Sequence, residues 1–368
     1  MRNNAMKKML ALLVVVALLV SMAACATQTQ PAATEATKAP EATAAAEETV
    51  VSTSQAGEAE AAQEAYEFGY VVSNMSHEWY QNIVNGAKRR AEERGVKLTV
   101  SDAAMDSGKQ QDYSENFITQ QVDALIMTPV DPTTMGSVVT LANENNIPLI
   151  AESSHFDGEK CFVGITDYDA AFEMGGWMAQ YAKDNSIDMK ILLVGQPIYE
   201  ACINRVKGFL EGLDAAGATY EVVQEVDGNG TKEDSLSVCN DALIAHPEVN
   251  VIFGINDNSS TGGMNAYIEL GYDASKLTVL GFGFEGSVGR DALLDPTSPY
   301  KAAVAMFPDY VGAALIDAAI MAAEGTAPNV YQSPTTIITK DNFTNFYTDN
   351  GDGTYTTNFA SIDALLAK

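Results

Sequence analysis

A short polar stretch carries the side chains best suited to chemistry. From Ser73 to Tyr80 the sequence reads SNMSHEWY, which supplies hydroxyls, an amide, an imidazole, a carboxylate and two adjacent aromatic rings. Aromatic faces pack against the C–H face of a ring-shaped ligand, while converging polar groups bond its hydroxyls. The stretch therefore predicts a binding site for a small, polar, ring-shaped ligand.

Two motifs elsewhere match known sites less well. Gly281-x-Gly283-x-x-Gly286 fits the dinucleotide fingerprint, but it comes late and the position for its ribose-binding carboxylate falls inside a predicted strand. A turn that needs glycine is favoured there. Residues 225–230 resemble the start of an EF-hand loop, yet Leu236 occupies the place of its bidentate glutamate. We expect no cofactor and, since no nucleophile is paired with a base, no enzyme.

Histidine supplies little further chemistry. His246 ends a predicted helix and is interpreted as structural. His77 and His155 fall on predicted strand-end loops of one lobe and could approach each other, but a metal would need a third ligand, such as Glu78 or Glu152. Hydrogen-bonding histidines are favoured, and no metal is expected.

The polar stretch lies between a strand and a helix. The apolar run 68–72 precedes it, and apolar residues at three- and four-residue spacing follow it as far as Gly95. This alternation continues and then restarts near Lys190. Two successive arrays predict an α/β fold of two doubly wound parallel-sheet lobes, with ligands at the carboxyl ends of the strands.

The N-terminus reads as a targeting segment. A basic start and the apolar run Leu10 to Val20 predict a signal peptide over 1–25. Met22 to Cys25 resembles a bacterial lipobox, which would make Cys25 the lipid attachment site; ordinary secretion is the alternative. Residues 26–65 are poor in large apolar side chains, so they predict a disordered acidic tether.

Charge and cysteine content narrow the function further. The formal net charge of −28 argues against nucleic acid as a partner, because phosphates would be repelled. Cys161, Cys202 and Cys239 fit no zinc spacing. Buried thiols are favoured, and one disulfide remains open.

Residues 66 to 340 resemble the periplasmic-binding-protein type 1 superfamily, within it the ribose/galactose-type solute-binding proteins of ATP-driven importers. The resemblance rests on these segments: Tyr70 to Asn74, Trp79-Tyr80, Asn85 to Ala87, Ala124 to Asp131, Asn146 to Pro148, Arg205 to Phe209, Ile255 to Asp257, Val279 to Phe282 and Phe307 to Asp309.

The resemblance implies two lobes joined by a three-strand hinge, with the ligand between them. The implied crossings lie near Thr166-Asp167, near Met306-Phe307 and from Gln332 to Thr335. The implied N-terminal lobe is 66–166 plus 307–334, and the C-terminal lobe is 167–306 plus 335–368.

The resemblance also assigns site residues. Trp79 and Tyr80 occupy the places of sugar-stacking aromatics, and Arg205 matches a ligand-binding arginine whose planar fork could clasp two hydroxyls or a carboxylate. Asn256, with Asp257 beside it, matches an asparagine that bonds sugar hydroxyls. The plainer alternatives are that Trp79 belongs to the helix core and that Arg205 is a surface charge. For Asn256 the alternative to ligand binding is helix capping, a role expected of Asp257 or Asn258 in any case.

Several positions depart from the ribose-type pattern. Ser153-Ser154 replaces an Asp-Arg pair, Gly283 replaces an aspartate, Met306 replaces a polar hinge residue, and His77 replaces an amide. Recognition identical to that of ribose is therefore not expected. Further predicted contacts are Asn74, His77, Glu152, Ser153, Tyr199 and Glu285.

The resemblance implies an extracytoplasmic solute-binding component of an ABC importer, lipid-anchored at the outer face of the bacterial cell membrane. It would bind a monosaccharide or related small polar solute and, as a monomer, deliver it to a permease with a cytoplasmic ATPase. The alternative is a sensor subunit that presents such a solute to a membrane receptor. A transcriptional regulator would need a basic helix-turn-helix where the acidic tether lies. Trp79→Ala and Arg205→Ala are expected to lose affinity without unfolding.

Overall fold

The computed structural model describes residues 65–367. The predicted signal peptide, with Cys25, and all but the last residue of the predicted tether lie outside this range. None of the helices within it is long and apolar enough to cross a membrane.

The first sheet has six strands, all parallel. From one edge to the other they are β11 (Val330–Gln332), β5 (Cys161–Gly164), β4 (Leu149–Glu152), β3 (Ala124–Met127), β1 (Glu67–Val72) and β2 (Lys97–Asp102).

The second sheet also has six strands. They are β12 (Thr336–Thr339), β10 (Tyr300–Ala305), β9 (Thr278–Gly283), β8 (Val251–Gly254), β6 (Met189–Gly195) and β7 (Tyr220–Asp227). The edge strand β12 runs antiparallel to β10, and the other pairs are parallel.

Helices connect the strands. In chain order they are α1 (Glu78–Arg94), α2 (Ser107–Thr119), α3 (Gly136–Glu144), α4 (Asp167–Asn185), α5 (Glu200–Ala215), α6 (Lys232–Ala245), α7 (Asp257–Glu269), α8 (Ser287–Leu294), α9 (Pro308–Ala323), α10 (Phe343–Phe346) and α11 (Phe359–Leu366). Short 3-10 turns span Pro132–Thr134 and Ala274–Lys276, and a hairpin of β13 (Tyr347–Asp349) and β14 (Tyr355–Thr357) precedes α11.

Both faces of the first sheet are buried. On β1, Tyr70 packs in a cluster with Ile83 of α1, while the next residue, Val71, packs in another cluster with Phe117 of α2. Successive side chains of a strand point to opposite faces, so an unbroken apolar run fits a sheet covered on both sides. The predicted α/β class with two doubly wound lobes is confirmed.

The chain passes between the two sheets three times, which confirms the hinge expected of this fold class. The passages follow β5, β10 and β11. At the second, Phe307 is fully buried and holds a left-handed backbone with φ 51°, and Pro308 then opens α9. The exact lobe boundaries drawn from the sequence stay a prediction.

Close packing against α9 fixes the position of α1, the helix whose first turn contains the end of the polar stretch. A Cβ on Gly86 of α1 would lie 2.1 Å from the Asp309 carbonyl oxygen, and a Cβ on Gly312 of α9 would lie 2.0 Å from that of Ile83. Only glycine permits this approach, so the backbones of α1 and α9 are in direct contact at these two positions.

The three cysteines beyond Cys25 are buried and free. This confirms the favoured prediction of buried thiols, and the open possibility of a disulfide is not realised.

Candidate functional site

The site begins at the N-terminus of α1. His77 is the capping residue, and its Nδ1 accepts a hydrogen bond from the backbone N–H of Trp79 at 3.2 Å. Trp79 is 9% exposed and packs in the core, whereas Tyr80 is half-buried against the same cluster. Trp79 therefore belongs to the helix core as well as to the site's first turn.

A buried carboxyl group lies beside this turn, at the carboxyl end of β4. Glu152 is 1% exposed, and its Oε2 accepts a hydrogen bond from Thr128 Oγ1 at 2.7 Å. The Ser153 hydroxyl donates to its other oxygen. Thr128 is in turn 3.0 Å from the Tyr70 hydroxyl. Burial raises the pKa of Glu152 to about 7 despite these donors.

Carboxyl groups from both sheets influence the pKa of Tyr80. Burial is the main cause that raises the pKa of Tyr80 to about 12, and the charges of Glu152 and Glu285 both add to it. Glu152 ends a strand of the first sheet, while Glu285 follows β9 of the second. The Tyr80 side chain thus marks the place where the two sets of strand ends face each other.

Direct hydrogen bonds join the two sides. Asn82 Nδ2 donates to the carbonyl oxygen of Glu285 at 2.6 Å, and the backbone N–H of Ser287 donates to Glu78 Oε1 at 3.1 Å. His77 Nδ1 lies 3.6 Å from Glu285 Oε2. The first turn of α1 and the loop after β9 are therefore in contact, as in a closed cleft.

The glycines of the fingerprint-like motif have packing roles. A Cβ on Gly281 would lie 1.6 Å from the Tyr300 hydroxyl, and one on Gly286 would lie 2.0 Å from Glu78 Cδ. Gly286 thus allows the loop to meet α1. These contacts support the interpretation of a glycine-dependent turn.

Arg205 is engaged within its own side of the cleft. Its Nε donates to Asp167 Oδ1 at 2.7 Å and one terminal nitrogen donates to the Ile255 carbonyl oxygen at 2.9 Å. The other terminal nitrogen is 3.9 Å from Met306 Sδ, and the guanidinium lies 4.3 Å from the Phe282 ring centroid. Arg205 therefore links two hinge passages to a strand end, a role the sequence did not reveal.

Asn256 is the N-cap of α7. Its Oδ1 accepts from the Ser259 N–H at 2.7 Å, and its Nδ2 donates to the Gly230 carbonyl oxygen at 3.0 Å. The expectation that Asp257 or Asn258 would cap this helix was wrong. The cap needs an extended residue whose side chain reaches back to the first turn, and Asn256 holds that conformation.

Asp257 is buried beneath the loop that carries Glu285. Its Oδ1 accepts a hydrogen bond from the Tyr300 hydroxyl at 2.6 Å, and its Oδ2 accepts from the Glu285 N–H at 3.1 Å. Burial, followed by the charge of Glu285, raises the pKa of Asp257 to about 8. Asp257 thus fixes the backbone whose carbonyl meets Asn82.

Three side chains considered from the sequence form no side-chain hydrogen bond to this group within residues 65–367. Asn74 Oδ1 is held in a local turn by the Ser76 N–H and hydroxyl. Tyr199 is 45% exposed just before α5. The His155 ring stacks on Phe162 with a centroid distance of 3.8 Å, and its carboxylate partner is Glu159. Within residues 65–367 no three potential metal ligands cluster.

The structure thus brings most predicted side chains to one place and adds others. Those that meet or adjoin there are His77, Trp79, Tyr80, Glu152, Ser153, Arg205, Asp257 and Glu285. Ser73 and Glu78 belong to the stretch predicted as a site but were not named as contacts, and sequence reasoning missed Asn82, Thr128, Asp167 and Tyr300. Ser73 and Thr128 end predicted strands, which was a usable signal, whereas Asp167 and Tyr300 meet their partners only through the fold.

Comparison with known proteins gives one consistent result. The family described as "Periplasmic binding protein domain" matches residues 68–327. The chain is 27% identical to the ribose import binding protein of Bacillus subtilis (strain 168) over 260 residues, which cover 70% of this chain and 81% of that protein. It is 25% identical to a putative rhizopine-binding protein of Rhizobium meliloti over 318 residues, or 82% and 96% of the two chains.

A solved structure has the same fold. It is an ABC transporter periplasmic solute binding protein from Actinobacillus succinogenes 130z with bound D-allose, similar with a TM-score of 0.70 and 21% identity, covering 76% of this chain and all of the other. The matched residues span both sheets.

Proposed function

The chain belongs to the periplasmic binding protein family, and on that premise we propose that it is the extracytoplasmic solute-binding component of an ABC importer. Its solute is a monosaccharide or a related small polar molecule, bound between the two sheets. This role needs a binding protein and no catalytic group, in agreement with the family, whose members are binding proteins and not enzymes.

One observation carries the proposal. The first turns of α1 meet the loop after β9 of the other lobe: Asn82 donates to the Glu285 carbonyl oxygen, and the Ser287 N–H donates to Glu78. A site whose halves come from different lobes is complete only when the lobes close. A ligand that contacts both halves stabilises the closed form, which is how a transporter could recognise the loaded receptor.

The side chains around Tyr80 suit a ligand rich in hydroxyls. Carboxylates accept hydrogen bonds, the serine and tyrosine hydroxyls both donate and accept, and the rings of Trp79 and Tyr80 offer apolar faces. The relatives named for ribose and the structure that holds D-allose support a sugar-like solute here. Trp79, Tyr80, Glu152, Ser153 and Glu285 are the proposed contacts.

We assign to the other predicted contacts roles that do not require direct contact with the centre of the ligand. Arg205, Asp257 and Asn256 position the site, and His77 orients the first turn of α1. Asn74 and Tyr199 would reach the ligand only from the rim.

The cellular setting rests on the N-terminal sequence. A signal peptide over 1–25, lipid attachment at Cys25 and the tether over 26–65 would hold the monomeric domain at the outer face of the membrane, beside a permease with a cytoplasmic ATPase. Metabolic labelling with a fatty-acid analogue tests this: Cys25→Ser should abolish the label and release the protein.

Tryptophan fluorescence gives a direct test of the site. Trp79 and Trp177 are the two tryptophans, and Trp177 lies in the middle of α4, where it stacks on Tyr181. With Trp177→Phe, an ordered series of sugars and polyols should change the emission of Trp79. With the matched variant Trp79→Phe, the same ligands should leave the emission of Trp177 unchanged.

A ligand-dependent change in the emission of Trp177 with none in that of Trp79 would contradict the proposed site. Calorimetry that detects no binding of any sugar or polyol in the series would contradict the proposed function.

A further inference from the structure

The C-terminal segment, residues 341–367, packs on both sides of the hinge. It contains α10, the hairpin of β13 and β14, and α11. On one side, the ring centroid of Phe343 lies 6.2 Å from that of Phe284, which follows β9 of the second sheet. On the other side, Phe359 packs edge-on against Tyr310 of α9 at 5.2 Å. Because α9 is the helix in contact with α1, the segment joins elements of both lobes.

Tyr347 is the residue of this segment that contacts both the hinge and the loop after β9. Its ring centroid lies 5.6 Å from that of Phe284 and 6.0 Å from that of Phe307, at the second passage between the sheets. Its ring also stacks on Phe343 at 5.0 Å, and Phe346 packs on Phe307 at 5.7 Å. Phe284 and Phe307 are 4% and 0% exposed, so these rings form one largely buried aromatic cluster.

Both phenylalanines that Tyr347 contacts hold a left-handed backbone. The φ angle is 46° at Phe284 and 51° at Phe307, a region that is unfavourable for a residue with a bulky side chain. Such a conformation persists only where the surrounding contacts determine it. Here those contacts include the rings of the C-terminal segment, so the segment helps to hold both residues in this conformation.

Phe284 directly precedes the residue that joins the two lobes. The Glu285 N–H donates to Asp257 Oδ2 at 3.1 Å within the second lobe, and the Glu285 carbonyl oxygen accepts from Asn82 of α1 at 2.6 Å. A change in the backbone angle at Phe284 would move the Glu285 peptide groups away from both partners. The aromatic cluster is thus one residue from the hydrogen bonds that close the cleft.

We propose that Phe343 and Tyr347 are positioning residues for lobe closure. They hold Phe284 and Phe307 in the conformation that brings the loop after β9 to α1. The match to the family ends at residue 327, so family membership assigns the C-terminal segment no such role. The inference rests on the proposed function, because lobe closure controls affinity only if the cleft binds a solute.

Hydrogen exchange of the ligand-free mature chain tests the positioning directly. Tyr347→Ala removes the ring that contacts both phenylalanines, whereas Tyr347→Phe keeps it. Peptides covering residues 284–287 should exchange about tenfold faster in Tyr347→Ala and at the wild-type rate in Tyr347→Phe, with β1 unchanged in both. The Glu285 N–H is informative because its bond to Asp257 lies within one lobe and does not require closure.

Calorimetry with D-ribose, D-allose and myo-inositol tests the effect on closure. For each of these that binds the wild type, the Kd should rise about fivefold or more in Tyr347→Ala and stay near the wild-type value in Tyr347→Phe. Tyr220→Ala is the control, because Tyr220 is a half-buried tyrosine at the start of the edge strand β7. Both alanine variants should unfold at lower urea concentration, but only Tyr347→Ala should lose affinity.

A milder variant keeps the test decisive if Tyr347→Ala does not fold. Phe343→Leu retains an apolar side chain and removes the ring that contacts Phe284 and Tyr347. It should accelerate exchange over residues 284–287 and raise the Kd in the same direction as Tyr347→Ala.

The outcomes separate the inference from the proposed function. Unchanged exchange over residues 284–287 in the Tyr347 or Phe343 variant, or faster exchange with an unchanged Kd, would overturn the inference and leave the proposed function standing. An equal loss of affinity in Tyr220→Ala would overturn it too, since the loss would then follow from lower stability alone. If no sugar or polyol binds the wild type, the proposed function is contradicted, and the exchange rates, which need no solute, still decide whether the segment positions the loop.

Discussion

Arg205 and Asp167 form a largely buried ion pair, in which Nε lies 2.7 Å from Oδ1 and the side chains are 13% and 18% exposed. Asp167 opens α4 directly after the first passage between the sheets. The pair therefore ties the hinge to the strand ends of the second sheet.

Arg205→Ala should lower stability as well as affinity. The change leaves Asp167 without its partner and is expected to cost about 3 kcal/mol of unfolding free energy, measured by urea unfolding. Arg89→Ala is the control, because Arg89 is 55% exposed in its pair with Asp309 and such surface pairs contribute about 1 kcal/mol or less. Equal stability of the two variants would show that the Asp167 contact is unimportant.

Asn82→Ala should weaken binding by loosening the closed form. It removes the 2.6 Å hydrogen bond to the Glu285 carbonyl oxygen, and a net loss of about 1 kcal/mol corresponds to roughly a fivefold higher Kd. Asn85→Ala, an exposed position on the same helix, is the matched control. Calorimetry with an identified ligand makes the comparison. An unchanged Kd for Asn82→Ala would show that this hydrogen bond does not stabilise the closed form.

Gly286→Ala should impede lobe closure. The new Cβ would fall 2.0 Å from Glu78 Cδ on the facing element, so the Glu78 side chain must turn away and give up its hydrogen bond from the Ser287 N–H. We expect the Kd to rise about tenfold or more, since ligand affinity depends on the closed form. Gly176→Ala, where a Cβ meets nothing within 4 Å, should bind normally. Small-angle scattering that shows full closure of the Gly286 variant would refute the expected clash.

Stability should fall as pH rises through the range in which Glu152 ionises. Burial raises the pKa of Glu152 from 4.5 to about 7, so between these values the folded chain binds more protons than the unfolded one. Unfolding free energy then decreases with rising pH, by up to about 3 kcal/mol from this group. Urea unfolding at pH 5.5 and 8 measures it.

Glu152→Gln should reduce this pH dependence, whereas Glu173→Gln, at an exposed position on α4, should preserve it; Asp257 and Glu285 supply the remainder, because burial raises the pKa of both. A wild-type chain that becomes more stable from pH 5.5 to 8, with the slope unchanged in Glu152→Gln, would rule out this origin.

Most secondary structure could be predicted from apolar periodicity. The predicted strand over 68–72 differs by one residue from the observed strand, and the helix that follows it ends at Arg94, next to the predicted limit at Gly95. Elements with little burial were missed. β11 is a three-residue edge strand with exposed Val330 and Gln332, and α11 has one buried residue, Ile362. Three residues of β11 are too few to show a period, whereas α11 has Phe359, Ile362 and Leu366 at helical spacing, a signal that the sequence reasoning passed over.

The sequence by itself determined the two α/β arrays, and it predicted a site at the strand ends that includes the first turn of α1. These properties depend on local periodicity and on a rule for parallel sheets, so neighbouring residues suffice to reveal them. The partners of Arg205, Asp257 and Glu285 were decided only by the tertiary structure. Each hydrogen bond there joins residues 28 to 203 positions apart, and such contacts follow from the passage of the chain between two sheets, which no local pattern encodes.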